Sequence, residues 1–286
     1  MFRVSNFMLA MVIVIGSAVA AQAQDAPKRA ITQIAGDLYR FQNKFHYSVF
    51  LVTPDGVIVT DPINADAAKW LKAEIATRFG KPIRYVVYSH DHRDHIAGGE
   101  VFAADGAIVV AHEKAKQAII GEKRPTAVPD ITFKKQMTLS LGGKTVELKY
   151  LGKNHSNNMI VMRFPAERVL FAVDFIPVKT VGFKDFPDAY LPEWIRSLAR
   201  VETMDFDILA PGHGPLGTMA DVTAYREYMV DLTDQVLAQA RMGKTLEETK
   251  AAVDLSKYSG WGQFEAWSPL NIEGAYQRAQ LNRRGN

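Results

Sequence analysis

Three of this chain's seven histidines fall within six residues, His90-Asp91-His92-Arg93-Asp94-His95. From this composition, an H-x-H-x-D-H string arises by chance on the order of three times in ten thousand, so the cluster needs a chemical reason. In an extended segment, side chains two apart point the same way, and His90 and His92 can therefore converge on one ion. A turn after them lets Asp94 and His95 address a second position a few ångströms away. Neutral imidazole and carboxylate without thiolate suit Zn(II), Fe(II) or Mn(II). Three later residues have the same character: His155 in Gly152-Lys153-Asn154-His155-Ser156, Asp174 closing the apolar run 168–173, and His213 in Pro211-Gly212-His213-Gly214. Each follows a strand-like stretch, and that repetition is what a site on the edge of a sheet requires.

The composition narrows the field further. The chain has 286 residues, 48% of them hydrophobic and 23% charged, which fits a globular protein with a substantial core. It has no cysteine, so disulfides, Cys nucleophiles and thiolate ligands are excluded and any site must be built from His and carboxylate. With 34 basic against 31 acidic residues and a formal charge of +3, there is no surplus favouring a nucleic-acid backbone; a small molecule is the expected partner.

The elements that must position these residues alternate between strand-like and helix-like runs. Residues 47–52 and 56–60 read as a hairpin turning at Pro54-Asp55-Gly56. Residues 64–79 place Ala68, Leu71, Ile75 and Phe79 at helical spacing, stopped by Gly80 and Pro82. Residues 83–88 and 107–111 are β-branched runs of a buried sheet, with a short helix expected within 95–102. A second hairpin covers 138–151 and turns at Gly142-Gly143, and strands follow at 159–164 and 168–173. After residues 208–210 the pattern becomes helical, at 219–241, 246–253 and 272–283. Strands interspersed with helices predict an α/β or α+β fold.

The first 23 residues stand apart. Arg3 precedes an uncharged run, 7–21, and Ala21 and Ala23 form an A-x-A pattern ahead of a polar stretch. At about 15 residues the run is shorter than the roughly 20 needed to span a bilayer, and the layout is that of a secretory signal peptide cleaved near Ala23. The expected mature protein is exported, periplasmic or secreted, without stable membrane insertion. It forms one domain over residues 24–286, with a helical C-terminal part from about 219.

The order HDHRDH at 90–95, GKNHS at 152–156, the aspartate at 174 and PGHG at 211–214 resembles the metallo-β-lactamase superfamily of binuclear hydrolases, over about residues 30–220. The resemblance implies an αββα sandwich of two mixed β-sheets flanked by helices, with the site along one edge. Position by position, it implies that His90, His92 and His155 hold a first metal and Asp94, His95 and His213 a second. Asp174 stands where glyoxalase II-like thioesterases and lactonases carry a bridging aspartate; true β-lactamases mostly place Cys or Ser near that stretch. Two Zn2+ per chain are implied, Fe or Mn being compatible with the same donors. The implied reaction is attack of a metal-bridging hydroxide on an ester, thioester, lactone or amide carbonyl, with Asp94 orienting the hydroxide and relaying a proton. Alternatives within the family are β-lactam hydrolysis and an iron-dependent persulfide dioxygenase-like activity. His46 can line the cleft but reads more readily as an ordinary surface or core histidine, and His112 as structural. The aromatic-rich stretch 175–194 reads as a loop, packed against the sheet or covering an anionic substrate with Lys179.

Overall fold

In the computed structural model, which describes residues 28–282, the short apolar runs form two mixed sheets. The first holds seven strands in chain order: β1 (Arg29–Ala35), β2 (Leu38–Asn43), β3 (His46–Thr53), β4 (Gly56–Thr60), β5 (Ile83–Val87), β6 (Ile108–His112) and β7 (Ile131–Phe133). β1 to β4 pair antiparallel through hairpins, whereas β4 to β7 are parallel. Parallel neighbours need crossovers, and these carry α1 (Ala65–Phe79), α2 (Arg93–Ile96), α3 (Glu100–Ala103) and α4 (Glu113–Gly121). The second sheet has the order β12-β11-β10-β9-β8 and comprises β8 (Gln136–Leu141), β9 (Lys144–Tyr150), β10 (Ile160–Phe164), β11 (Val169–Phe171) and β12 (Ile208–Ala210). Only β11 and β12 are parallel there. The expected leader at residues 1–23 lies outside the described residues.

Three apolar layers hold the sheets and helices together. Between the sheets, Leu51, Ile58, Val87 and Val110 meet Leu148, Met162, Phe164 and Phe171. On the outer face of the first sheet, Leu71 and Ile75 of α1, Phe102 and Ile119 cover Val59, Val86 and Val109. On the outer face of the second sheet, Trp194 and Leu198 of α5 (Leu191–Val201) join Tyr225, Met229 and Leu232 of α6 (Met219–Arg241), with Ile272 of α8 (Phe264–Asn282). Each such side chain removed from water contributes about 1.5–3 kcal/mol. The αββα sandwich expected from the resemblance is the fold observed.

Local chemistry accounts for the boundaries. Asn64 caps α1 by accepting the Ala67 N–H, and Gly80, in the left-handed region at φ 61°, ends it. The short helix expected within 95–102 is instead two single turns, α2 and α3, broken at Gly98. Gly98 has φ +91°, and an added Cβ would lie 2.4 Å from Ala65 N, so the α1 N-terminus packs directly on its backbone. Five of these elements are absent from the sequence reading: β1, β2, β7, α4 and α5, the last beginning inside the stretch read as a loop. α7 (Leu246–Ala252) matches expectation, but α8 begins at Phe264 and carries Pro269 inside it rather than starting at 272.

Candidate metal centre

The strand directions gather the chemistry at one edge. β4, β5, β9, β11 and β12 all end there, and β3, antiparallel to β4, begins there. His90 and His92 lie on the loop after β5, and His92 forms the N-cap of α2, whose single turn presents Asp94 and His95. His155 lies between β9 and β10, Asp174 follows β11, and His213 follows β12.

The structure brings all seven of these residues together. His90, His92, His155 and Asp174 form one group whose donor atoms lie within 4.8 Å of one another, and His95, Asp174 and His213 form a second. Asp174 belongs to both: its Oδ2 is 3.6 Å from His90 Nε2, 3.6 Å from His155 Nε2 and 3.0 Å from His95 Nε2, while its Oδ1 is 3.2 Å from His213 Nε2. Asp94 Oδ2 stands 3.6 Å from His95 Nε2.

The surroundings aim these donors inward. Ser89 donates its hydroxyl to Asp61 Oδ2 at 2.6 Å and its N–H to Asp61 Oδ1 at 2.8 Å, so the Ser89 oxygen is left to accept from His90 Nδ1 at 2.9 Å. That chain puts the His90 proton on Nδ1 and leaves Nε2 as a lone pair facing the centre. Asp91 fixes the same loop, its N–H donating to Asn158 and its carboxylate accepting from Asn158 and Arg124. Behind His155, Ser197 of α5 donates to the Leu151 carbonyl, and the Trp194 ring meets the imidazole edge-on at 5.7 Å. His213 donates from Nδ1 to the Phe45 carbonyl at 3.1 Å.

Electrostatics divide the two groups. Burial drives His155 down to about 4 and His90 well below the ordinary histidine range. Burial also opposes protonation of His95, but Asp174, Asp94 and Asp61 outweigh it and raise that imidazole to about 9. Asp174 is held well below the carboxylate range, in spite of its burial, by His95 and His213. Asp61 is pushed up to about 6 by burial, against the opposing pull of His95 and Ser89.

The donor set fits divalent cations. His90 Nε2, His95 Nε2 and Asp174 Oδ1 are buried without an aligned hydrogen bond, although each lies 3.0–3.6 Å from a neighbouring donor. Imidazole nitrogens and a shared carboxylate crowded within 4.8 Å of one another form a donor set that suits an ion.

Two residues at the site depart from the sequence reading. His46, read as an ordinary surface or core histidine, places Nε2 3.2 Å from Asp94 Oδ2 and groups with Asp94 and His213. Asp61 was accessible to the same reasoning that found Asp174, since it is an acid directly after an apolar strand. His112 is structural, as expected: it caps α4, and Nε2 donates to the Lys134 carbonyl at 2.9 Å. In the stretch 175–194, Phe175, Ile176, Val178 and Phe186 are buried in the outer core, which bears out packing, while Lys179 is exposed.

A two-sheet sandwich with histidines and aspartates on one edge defines a class, and the chain belongs to it: the model of the metallo-β-lactamase superfamily matches residues 43–213. Among its relatives, the 2,4-dinitroanisole O-demethylase subunit alpha of a Nocardioides strain is 24% identical over 242 residues, covering 83% of this chain and 71% of that one. A metallo-β-lactamase type 2 of Elizabethkingia meningoseptica is 27% identical over 194 residues, covering 64% of this chain and 76% of the other. A metallo-β-lactamase from Pontibacter korlensis shares the fold with a TM-score of 0.65 at 22% identity, covering 71% of this chain and 99% of its own. α6, α7 and α8 lie beyond the matched stretch.

Proposed function

We propose that the protein is a metal-dependent hydrolase that holds two divalent ions and cleaves an ester, thioester, lactone or amide bond. The carrying observation is the pair of donor groups that share Asp174. His90, His92 and His155 would hold the first ion and Asp94, His95 and His213 the second, with Asp174, which belongs to both donor groups, placed between them. An all-nitrogen and oxygen donor set takes zinc, with iron or manganese as alternatives. When bound, the ions supply a hydroxide at neutral pH and polarise the substrate's carbonyl oxygen.

The side chains do the rest. Asp61 and Ser89 keep the His90 lone pair directed inward, and Asp174 sets the separation of the two groups while neutralising part of their charge. Asp94, half exposed and beside His95, is placed to accept the nucleophile's proton and return it to the leaving group. A cleft of about 840 Å³ opens beside His92, walled by Arg124, Asn157, Tyr190 and Arg278, and receives the remainder of the substrate.

Relatives named metallo-β-lactamase favour a β-lactam as the second reading, and the O-demethylase relative adds an activated aryl methyl ether. Metal analysis of the purified protein, then turnover of lactone, thioester, nitrocefin and dinitroanisole with and without chelator, tests the reading. Loss of activity and metal in His92→Ala and Asp94→Ala is expected; full activity in either overturns it. Export is part of the proposal. Fractionation should find the protein outside the cytoplasm, its N-terminus near residue 24. No helix among the described residues is long and apolar enough to cross a membrane.

A further inference from the structure

His46 is set into the site by a scaffold of its own. It opens β3 at the tip of the β2–β3 hairpin, and the residues on either side of it bond the loop that carries His213. The Phe45 carbonyl accepts from His213 Nδ1 at 3.1 Å, and the Tyr47 N–H donates to the Gly212 carbonyl at 2.7 Å. Arg40 of β2 reinforces the junction, donating to the Pro211 and Gly214 carbonyls at 2.9 and 2.8 Å while its guanidinium lies 3.6 Å over the Tyr47 ring. The imidazole so fixed is largely buried. Its ring centroid is 4.7 Å from that of His213 and 5.7 Å from that of His95.

Its ring nitrogen faces the donors, with Nε2 3.2 Å from Asp94 Oδ2 and the donor atoms of His46, Asp94 and His213 all within 4.8 Å of one another. Two ligands of a single ion at bond lengths of about 2.0–2.1 Å stand roughly 3.0–3.5 Å apart when adjacent. The His46 to Asp94 spacing is of that size. We propose that His46 is a protein ligand of the second metal position, an inference that rests on the binuclear reading above. His46, Asp94 and His213 form one donor group, and His95 and Asp174 join His213 in another; with His46 the second ion would gain a further imidazole, which favours a higher coordination number than tetrahedral.

The test is proton NMR of the full-length protein titrated with Co(II), in which each ligating imidazole with a ring N–H gives its own hyperfine-shifted exchangeable resonance. In the wild type, the second cobalt equivalent should bring out signals assignable to His46, His95 and His213. In His46→Gln and His46→Asn, one signal should vanish, and second-site affinity should fall at least tenfold with the first unchanged. Shifted resonances equal in number in wild type and variants would overturn the proposal, leaving His46 as a hydrogen-bond donor to Asp94. Should a variant fail to fold, selective 15N labelling of histidine in the wild type still decides whether the His46 ring is hyperfine-shifted. If the wild type takes up no second equivalent, the binuclear reading itself fails, an outcome separable from the loss of one ligand.

Discussion

On the binuclear reading proposed above, the charge state of His95 predicts that the two metal positions differ in their dependence on pH. In the metal-free protein His95 is raised to about 9 by Asp174, Asp94 and Asp61, against the effect of burial. At pH 7 it is therefore protonated, and an ion entering beside Asp94 and His213 must displace that proton. Two pH units correspond to about 3 kcal/mol, or roughly a hundredfold weaker apparent affinity at pH 7 than above pH 9. His155, at about 4, and His90, well depressed, carry no proton at that pH, so these two imidazoles impose no such penalty on the first position. Between pH 6.5 and 8.5 the second equivalent should tighten about tenfold per unit, more steeply than the first. Calorimetric titration of metal-free protein in buffers of different ionisation enthalpy measures the protons released. Beyond any proton lost from bound water, about one more is expected from His95 at the second equivalent at pH 7, so the second step should release more than the first. Equal proton release in both steps would refute the assignment of that proton to the His95 group.

Three further outcomes follow from the packing. Asp61→Ala leaves the buried Ser89 N–H without an acceptor, at a cost of about 1–3 kcal/mol; the urea midpoint should drop with unchanged slope, and first-site affinity should fall about tenfold or more because the His90 tautomer is no longer set. A midpoint equal to wild type would contradict this. In Gly212→Ala the added Cβ would lie 2.4 Å from Val173 Cγ1 and 3.1 Å from His95 Cε1, so about 1–3 kcal/mol of overpacking should accompany weaker binding of the second ion, with the first unaffected; equal weakening at both positions would count against it. Arg278→Met removes donors to the carbonyls of Asp185, Phe186 and Ala189; proteolytic cleavage between residues 183 and 190 should accelerate about tenfold with helical circular dichroism retained, and unchanged cleavage would show that the clamp is dispensable.

What the sequence makes legible is chemistry attached to strand ends. The His90–His95 cluster, His155, Asp174 and His213 share one signal, metal-type residues on the stretch that follows an apolar strand, and the strand directions convert that signal into one edge. Asp61 carries the same signal and was findable. His46 does not, because it precedes its strand, and what brings it to Asp94 is the docking of Arg40 and Tyr47 on residues 211–214, far away in the chain. α5 is hidden for another reason. Its buried positions Leu191, Trp194, Leu198 and Val201 fit helical spacing, yet they continue an aromatic run whose preceding residues do form a loop. Pro269 similarly masks the first turns of α8.

The region after residue 213, where the family match ends, nevertheless reaches the site. Arg278 of α8 donates to the carbonyls of Asp185, Phe186 and Ala189. Gly274 allows the close approach, since an added Cβ would lie 2.0 Å from the Asp185 carbonyl oxygen. The segment so held carries Asp188, whose Oδ2 is 3.2 Å from His92 Nε2, while His92 Nδ1 faces His155 Nε2 at 3.1 Å. A carboxylate on one imidazole nitrogen fixes the ring and so orients the other nitrogen. The C-terminal helices therefore act on the first metal position through a single loop, and that loop, with Tyr190, also walls the cleft. The two sheets position the candidate centre, while Arg278 and the 185–190 segment wall the cleft beside His92; if that cleft receives substrate as proposed, substrate preference should change with Asp188 and Arg278 sooner than with residues between the sheets.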